Sequence, residues 1–362
     1  MKTPLTPPEL AEAAERLRFF RPEARLLAAK AASGNINKTW ILRLAGAEFE
    51  RAVLQRLNPK VFPDLAAVMA NFRLVTAHLA AARRREPEAP EFPLAYAAPD
   101  GRDCQFDESG GLWRLISWIG PSRALQRVGA RQAAGMGRTL ARFHLLLADL
   151  DTGALTDPLP GFHDTPGYLA RFAQVSGNRG PHGDAENFCF AMIENLRPLA
   201  RLLAGGDHAR QATHGDPKCA NFLFASRGDA ALGLIDLDTV REGYILHDLG
   251  DALRSCCAIG GEDAIRPVFD ADRAAAFLAA YAEAGGRDLL TDDDREYLPE
   301  AVRLLIYELG LRFFIDHLEG NRYFACRYPR HNLHRARNQF RLHASLMAAE
   351  GKLRKAVRAL KK

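Results

Sequence analysis

The sequence predicts an α+β fold in two unequal lobes, a small N-terminal lobe built on a β-sheet and a larger, mainly helical C-terminal lobe. Three observations carry this expectation. Short runs rich in β-branched and aromatic residues, Trp40–Leu44, Phe49–Leu57 and Leu112–Ile119, all fall in the first third of the chain. Beyond them, apolar residues recur at helical spacing over long stretches. Gly120-Pro121 breaks the last early strand, and we place the lobe boundary there. The expected organisation is an N-lobe over 1–119, a C-lobe over 120–350 and a basic tail over 351–362. A chain of 362 residues suits two lobes around a cleft, and 48% hydrophobic with 26% charged residues is an ordinary globular composition.

The elements follow in order. Residues 9–32 carry Ala, Leu, Glu and Arg at helical spacing and read as one helix. Ser33, Gly34 and Asn35 form a turn into the Trp40–Leu44 strand, and Ala45-Gly46-Ala47 separates it from Phe49–Leu57. Residues 64–85 form an Ala-rich helix ending in three arginines, and 86–101 is a Pro-rich loop. Arg131–Ala148 is an amphipathic helix. Loops cover 151–166 and 176–184, and 185–204 is helical. HGDPKCANFLFA and ALGLIDLDTV place two short apolar strands beside polar turns. Everything after 247 reads as helical, including Pro299–Leu318 and Asn332–Ala349.

Charge and cysteine usage limit the function classes. The net charge of +5 invites a nucleic-acid or anionic-membrane reading. The last twelve residues, however, hold six basic side chains and no acid, so residues 1–350 stand at −1. The positive charge belongs to the tail, expected to be solvated, and neither nucleic acid nor membrane is an expected partner. Six cysteines without a C-x-x-C pair indicate a reducing compartment. The N-terminus lacks a signal-peptide apolar core, and no run of about 18 apolar residues is found. A soluble cytoplasmic protein of unknown oligomeric state is expected.

The chemistry lies in His214-Gly215-Asp216-Pro217-Lys218-Cys219-Ala220-Asn221 and Leu234-Ile235-Asp236-Leu237-Asp238. The spacing H-x-D-x-x-x-x-N, followed by an Asp at the end of an apolar strand, is that of phosphoryl-transfer catalytic loops. Such transfer needs a carboxylate to orient the attacking hydroxyl and take its proton, a role open to Asp216. It also needs a hard cation on the phosphate oxygens, for which Asn221 and Asp236 offer an amide and a carboxylate oxygen. That donor set suits Mg²⁺, not zinc. His214 reads as a packed structural residue, and Cys219 as a small packed thiol. Neither G-x-x-x-x-G-K-[ST] nor G-x-G-x-x-G after a strand is present, which rules against P-loop and Rossmann enzymes.

HGDPKCANFLF, LIDLDTV and HDLGDALR resemble the aminoglycoside phosphotransferase / choline kinase superfamily. GNINKTWIL, VLQRLNPKVFPDLAAVMANFRLVTAHL, YELGLRFFIDHLEGNRYF and RARNQFRL are most similar to its N-acetylhexosamine 1-kinase group, and these segments are scattered from about residue 33 to 342. The resemblance implies a protein-kinase-like fold binding ATP and Mg²⁺ between the lobes. It matches Asp216 to the family's base, Asn221 and Asp236 to its metal ligands, and Asp248 to a prop for the catalytic loop. Ser33, Gly34 and Asn35 would begin the hairpin over the phosphates. Arg56 would be the strand cation reaching them, or an outward strand charge; the 64–85 helix offers no Glu to pair with it. Ser117, Trp118 and Ile119 would form the hinge beside adenine, with Trp118 alternatively plain core.

For the acceptor, Glu308, Arg312 and Asp316 recur at i, i+4 and i+8 along the 299–319 helix. They form either an ion-pair ladder or a polar rim for sugar hydroxyls, with Tyr323 placed to stack on a sugar face. His163 and Asp164 are further candidates. The implied reaction moves the γ-phosphoryl of ATP to a sugar hydroxyl, the anomeric hydroxyl of an N-acetylhexosamine within the resembled group. Alternatives are an aminoglycoside, choline or homoserine acceptor, or a non-catalytic nucleotide-binding protein of the same fold.

Overall fold

Helix α1 (Pro7–Phe20) is shorter than the helix expected over 9–32. Thr6 and Glu9 close a capping box at its start, the Thr6 N–H donating to Glu9 Oε2 at 2.9 Å. Pro22 pushes Arg21 out of helical geometry, to φ −144°. Residues Arg25–Ala31 then form strand β1, paired antiparallel with β2 (Lys38–Ala45) despite their helix-favouring composition. Pairing across the sheet overrides local propensity here. The structure, a computed structural model, describes residues 5–32, 36–177, 180–203 and 206–361.

Among the described residues, β1, β2, β3 (Arg51–Leu57), β4 (Gln105–Phe106) and β5 (Leu112–Ser117) form one antiparallel sheet in the order β1-β2-β3-β5-β4. Its two faces follow the strand period of two. Trp40, Leu42, Leu54, Trp113 and Leu115 pack against Ala13, Leu17 and Phe20 of α1. Leu57, Leu112 and Ile116 face the other way, onto α2 (Leu65–Arg85) and the main core. By length and mean hydropathy α2 is apolar enough to cross a membrane, although Asn71, Arg73 and His78 interrupt it, so no continuous apolar run of about 18 residues is present in it. Its apolar face is instead core, with Val68, Phe72, Val75 and Leu79 buried.

The C-terminal region is helical and carries the small strands that frame the motif. Strand β6 (Ser122–Ala124) pairs with β8 (Phe222–Ala225), which pairs with β9 (Ala231–Leu234), while β7 (Arg210–Thr213) pairs with β10 (Arg241–Tyr244). The segments 214–221 and 235–240 are therefore the loops between these strands. Around them lie α3 (Ala130–Leu146), α4 (Thr165–Ser176), α5 (Asp184–Leu196), α6 (Ile245–Cys257), α7 (Ala271–Glu283), α8 (Asp292–Leu318) and α9 (His331–Val357). Helix α8 starts at a Thr291 capping box and contains Pro299, which sequence reading had placed at its start. A short hairpin, β11 (Ala258–Ile259) with β12 (Val268–Phe269), interrupts the stretch expected to be wholly helical.

The basic segment is not a detached tail. Helix α9 runs on to Val357, and Leu353, Val357 and Leu360 are buried. Arg354 bonds Glu350 at 2.9 Å and also reaches Glu300. The charges sit on the outer face of a packed helix end.

Candidate active site

The catalytic loop is fixed from beneath by Asp248 in the first turn of α6. Its carboxylate accepts from His214 N at 2.7 Å, Gly215 N at 2.8 Å and His144 Nε2 at 2.9 Å, fully buried. Burial opposes its charge, but the bonds from His144 and His214 outweigh that and hold it ionised. This matches the propping role implied for Asp248. His214 is structural: its Nδ1 accepts from Asp216 N at 3.2 Å and its Nε2 donates to Ile235 O at 3.0 Å, tying the two motif loops together. Gly215 has φ +82°, and a Cβ there would lie 2.9 Å from Thr239 O, so only glycine fits.

Asp216 projects from this loop with about 25% of its side chain exposed. Lys218 Nζ bonds its Oδ2, and Asn221 Nδ2 donates to its backbone oxygen at 2.8 Å. Burial alone would raise the Asp216 carboxyl; the Lys218 charge beside it prevails and keeps it ionised, as a proton acceptor requires. Asp236 sits at φ +70°, just before the turn 237–239. Burial and the neighbouring charges of Asp238 and Asp216 push its carboxyl up to about 6 despite Lys218. An acid so short of positive charge is suited to a cation ligand. Asn221 has its amide nitrogen engaged, and among the described residues nothing donates to its Oδ1. No cluster of three or more His, Cys, Asp or Glu among the described residues is placed to hold a metal by itself. Asn221 and Asp236 fit half a shell of hard oxygen donors, which phosphate oxygens and water would complete.

The nucleotide-side expectations fare unevenly. Ser33, Gly34 and Asn35 lie outside the described residues. Arg56 is directed elsewhere: it shares the α1-side face of β3 with Leu54, and its Nε bonds Asp107 at 2.6 Å and its second guanidinium nitrogen Ser109 Oγ at 2.7 Å. The opposite face carries Gln55 and Arg114. Arg114 is buried, donates to Gln55 Oε1 at 2.8 Å and to Asp238 Oδ1 at 2.6 Å, and lies 4.2 Å over the Phe72 ring. Asp238 also accepts from Asn37 Nδ2 at 2.9 Å. Sequence reasoning missed Arg114, although a single charge inside the apolar run LWRLISWI was a signal. Ser117, Trp118 and Ile119 join the sheet to Gly120. Ser117 N donates to Leu94 O at 2.8 Å, Ile119 O accepts from Ser122 Oγ, and the partly exposed Trp118 ring carries Arg51 at 4.6 Å instead of joining the core.

A cavity beside Asp216 is lined by His163, Lys218, Glu308, Arg312, Tyr323 and Phe324, among others. The helix seam thus brings Glu308 and Arg312 to the cavity that Asp216 lines, but not as an ion-pair ladder. Glu308 accepts from His163 Nδ1 at 2.9 Å and Thr165 Oγ1 at 2.6 Å. Arg312 lies over the rings of Phe162 at 4.9 Å, Tyr168 at 5.4 Å and Phe324 at 5.6 Å. Asp316 is not in the cavity. It is buried and accepts from the backbone N–H groups of Arg322 and Tyr323 at 2.8 Å, of Phe324 at 3.0 Å, and from Asn332 Nδ2 at 2.7 Å. It holds the loop that delivers Tyr323, and does not face an acceptor.

His163 bonds acceptors at both ring nitrogens, Glu308 at Nδ1 and Gly215 O through Nε2 at 2.7 Å, so both must carry protons. Burial opposes that charge, and Glu308 outweighs it, raising His163 and lowering Glu308 to about 2. Asp164 caps α4, accepting from Gly167 N at 3.1 Å. Cys219 is packed, as expected, and burial pushes its thiol up to about 12.

Comparison with known proteins places the fold and the family. A family model described as "Phosphotransferase enzyme family" (APH) matches residues 28–297. The structure of a microcompartment-associated aminopropanol kinase, 17% identical, aligns over 94% of this chain and 98% of its own with a TM-score of 0.65. An aminoglycoside phosphotransferase from Alicyclobacillus acidocaldarius, 16% identical, covers 98% of each chain at 0.63. An amicoumacin kinase in complex with AMP-PNP, Ca²⁺ and Ami, 13% identical, covers 94% of each at 0.60. The fold is protein-kinase-like, and the chain belongs to the phosphotransferase enzyme family.

Proposed function

We propose that the chain is a cytoplasmic small-molecule kinase that uses ATP and Mg²⁺ to phosphorylate a hydroxyl of a sugar. Its leading acceptor is an N-acetylhexosamine at the anomeric hydroxyl. The observation that carries the reading is Asp216, bonded by Lys218 and kept ionised by its charge at the wall of a cavity. ATP would sit between the N-terminal sheet and the β6–β9 layer, the lobes dividing near Gly120, with Ser33–Asn35 and Ser117–Ile119 as its contacts. Asn221 and Asp236 would hold the divalent cation, which neutralises phosphate charge when bound. Asp216 orients the acceptor hydroxyl and takes its proton as the oxygen–phosphorus bond forms and the bond to the departing ADP breaks. Lys218 places a positive charge beside the same point. The intact set of Asp216, Asn221 and Asp236 favours an enzyme over a non-catalytic nucleotide binder.

Tyr323 and the polar groups of Glu308 and Arg312 support a sugar acceptor, since hexose faces are apolar and their rims are hydroxylated. The test is a phosphoryl-transfer screen with Mg·ATP over N-acetylhexosamines, other hexoses and small alcohols, with phosphorus NMR locating the phosphate. An anomeric phosphate on an N-acetylhexosamine is expected; transfer only to non-sugar alcohols overturns the sugar assignment.

A further inference from the structure

The acceptor cavity holds several carboxylates, but cations already accompany them. Lys218 bonds Asp216, His163 bonds Glu308, and Arg254 Nε bonds Asp251 Oδ1 at 2.8 Å while lying 3.5 Å from Glu262. Arg312 is the exception of opposite sign: among the described residues its guanidinium meets no carboxylate and makes only ring contacts. Those contacts occupy aromatic faces of Phe162, Tyr168 and Phe324 that would otherwise attract an ammonium group. Asp251 supplies a complementary vacancy. The residue is 7% exposed and lines the cavity, and its Oδ2 is buried without a hydrogen-bond partner. Such an oxygen is costly to leave unpaired.

We infer that this cavity selects a neutral or anionic acceptor, with Arg312 donating to an sp² oxygen of the acceptor and Asp251 Oδ2 accepting from one of its hydroxyls. The inference rests on the proposal that this cavity is the acceptor site. An alkylammonium acceptor would find each of these carboxylates already beside a cation, with Asp251 Oδ2 a buried oxygen still without a partner, and would meet the Arg312 guanidinium, which no carboxylate contacts among the described residues, an unfavourable meeting of like charges. The sp² oxygen comes from one of two sources, the amide of an N-acyl sugar or the carboxylate of a sugar acid.

The test measures kcat/KM with Mg·ATP for a hexose, its 2-N-acetyl, 2-amino and uronic acid derivatives, and in parallel for glycerol, glycerate and choline. The N-acetyl or the uronic acid form should exceed the parent hexose by about tenfold, whichever leads naming the source, and the amino form should fall below it. In Arg312→Met that preference should collapse through a higher KM, with part restored in Arg312→Lys; thermal melts establish that both variants fold. Asp251→Asn should raise KM for every acceptor. A preferred ammonium-bearing acceptor, or an unchanged preference in folded Arg312→Met, overturns the inference. If only non-sugars react, the sugar assignment falls, and the order of glycerate, glycerol and choline decides the charge preference by itself.

Discussion

In the proposed reaction Asp216 would act as a base only while it lacks a proton, a state that the Lys218 charge favours. Asp216→Asn keeps the size and removes the proton acceptor. Turnover should fall by about 10²–10⁴-fold while nucleotide titration still shows binding. Asp236→Ala should instead abolish divalent-cation-dependent nucleotide binding; an unchanged cation dependence would contradict its role. The His163–Glu308 pair makes a separate prediction, in stability. Glu308 is lowered from 4.5 to about 2, so its contribution is full above about 4.5 and fades as pH falls toward 2. His163 is raised from 6.5, so its contribution is full below 6.5 and fades as pH rises through its higher folded value. The Tm difference between wild type and Glu308→Gln should therefore be largest between about 4.5 and 6.5. A difference that is flat with pH would mean the pair is not charged. At this scale the sequence already held the proposed catalytic and cation-binding residues. Asp216, Asn221 and Asp236 are close enough in the chain for their spacing to speak. Arg114 and Asp251 were passed over because their partners, Asp238 and the acceptor cavity, are defined only by tertiary contact.

Elements failed where a face, not a period, decided the outcome. Alternation puts Arg56 on the same side as Leu54, but only the position of α1 reveals that this side faces away from the cleft. The α-helical composition of 25–31 likewise concealed β1, for which Pro22 was the available local sign. The interface between α3 and α7 provides a direct test of element packing. Gly137 lies so close to α7 that a Cβ would come 2.1 Å from Phe277 O. Gly137→Ala should destabilise the protein by about 1–3 kcal/mol in denaturant unfolding, although alanine favours an isolated helix. Stabilisation by that substitution would show that the two helices can separate at little cost.

Across the whole molecule, the division into a sheet-bearing N-terminal region and a helical C-terminal region was legible from the distribution of strand and helix patterns. The acceptor cavity was legible only in part. Glu308, Arg312 and Tyr323 reach Asp216 because α8 crosses beneath the catalytic loop, whereas Asp316, on the same seam, turns to the loop after the helix. The basic C-terminus was misread because its charges are conspicuous and its Leu353, Val357 and Leu360 are sparse. Each of these, when fully buried, contributes about 1.5–3 kcal/mol. Deleting 351–362 should therefore lower Tm by several degrees; a truncated chain with unchanged Tm would mean that this helix end is dispensable.

The bond from Arg114 to Asp238 joins a strand of the N-terminal sheet to the loop that carries Asp236, and Asn37 reaches the same carboxylate from the start of β2. Two walls joined through an ion pair shielded from water do not swing apart at that point, since opening there would strand both charges. Any opening of the cleft is therefore expected away from this corner. A nucleotide held in such a cleft would be gripped from one side as by a clasp knife, and the reach of the opening would be set by how far the sheet can tilt about Arg114.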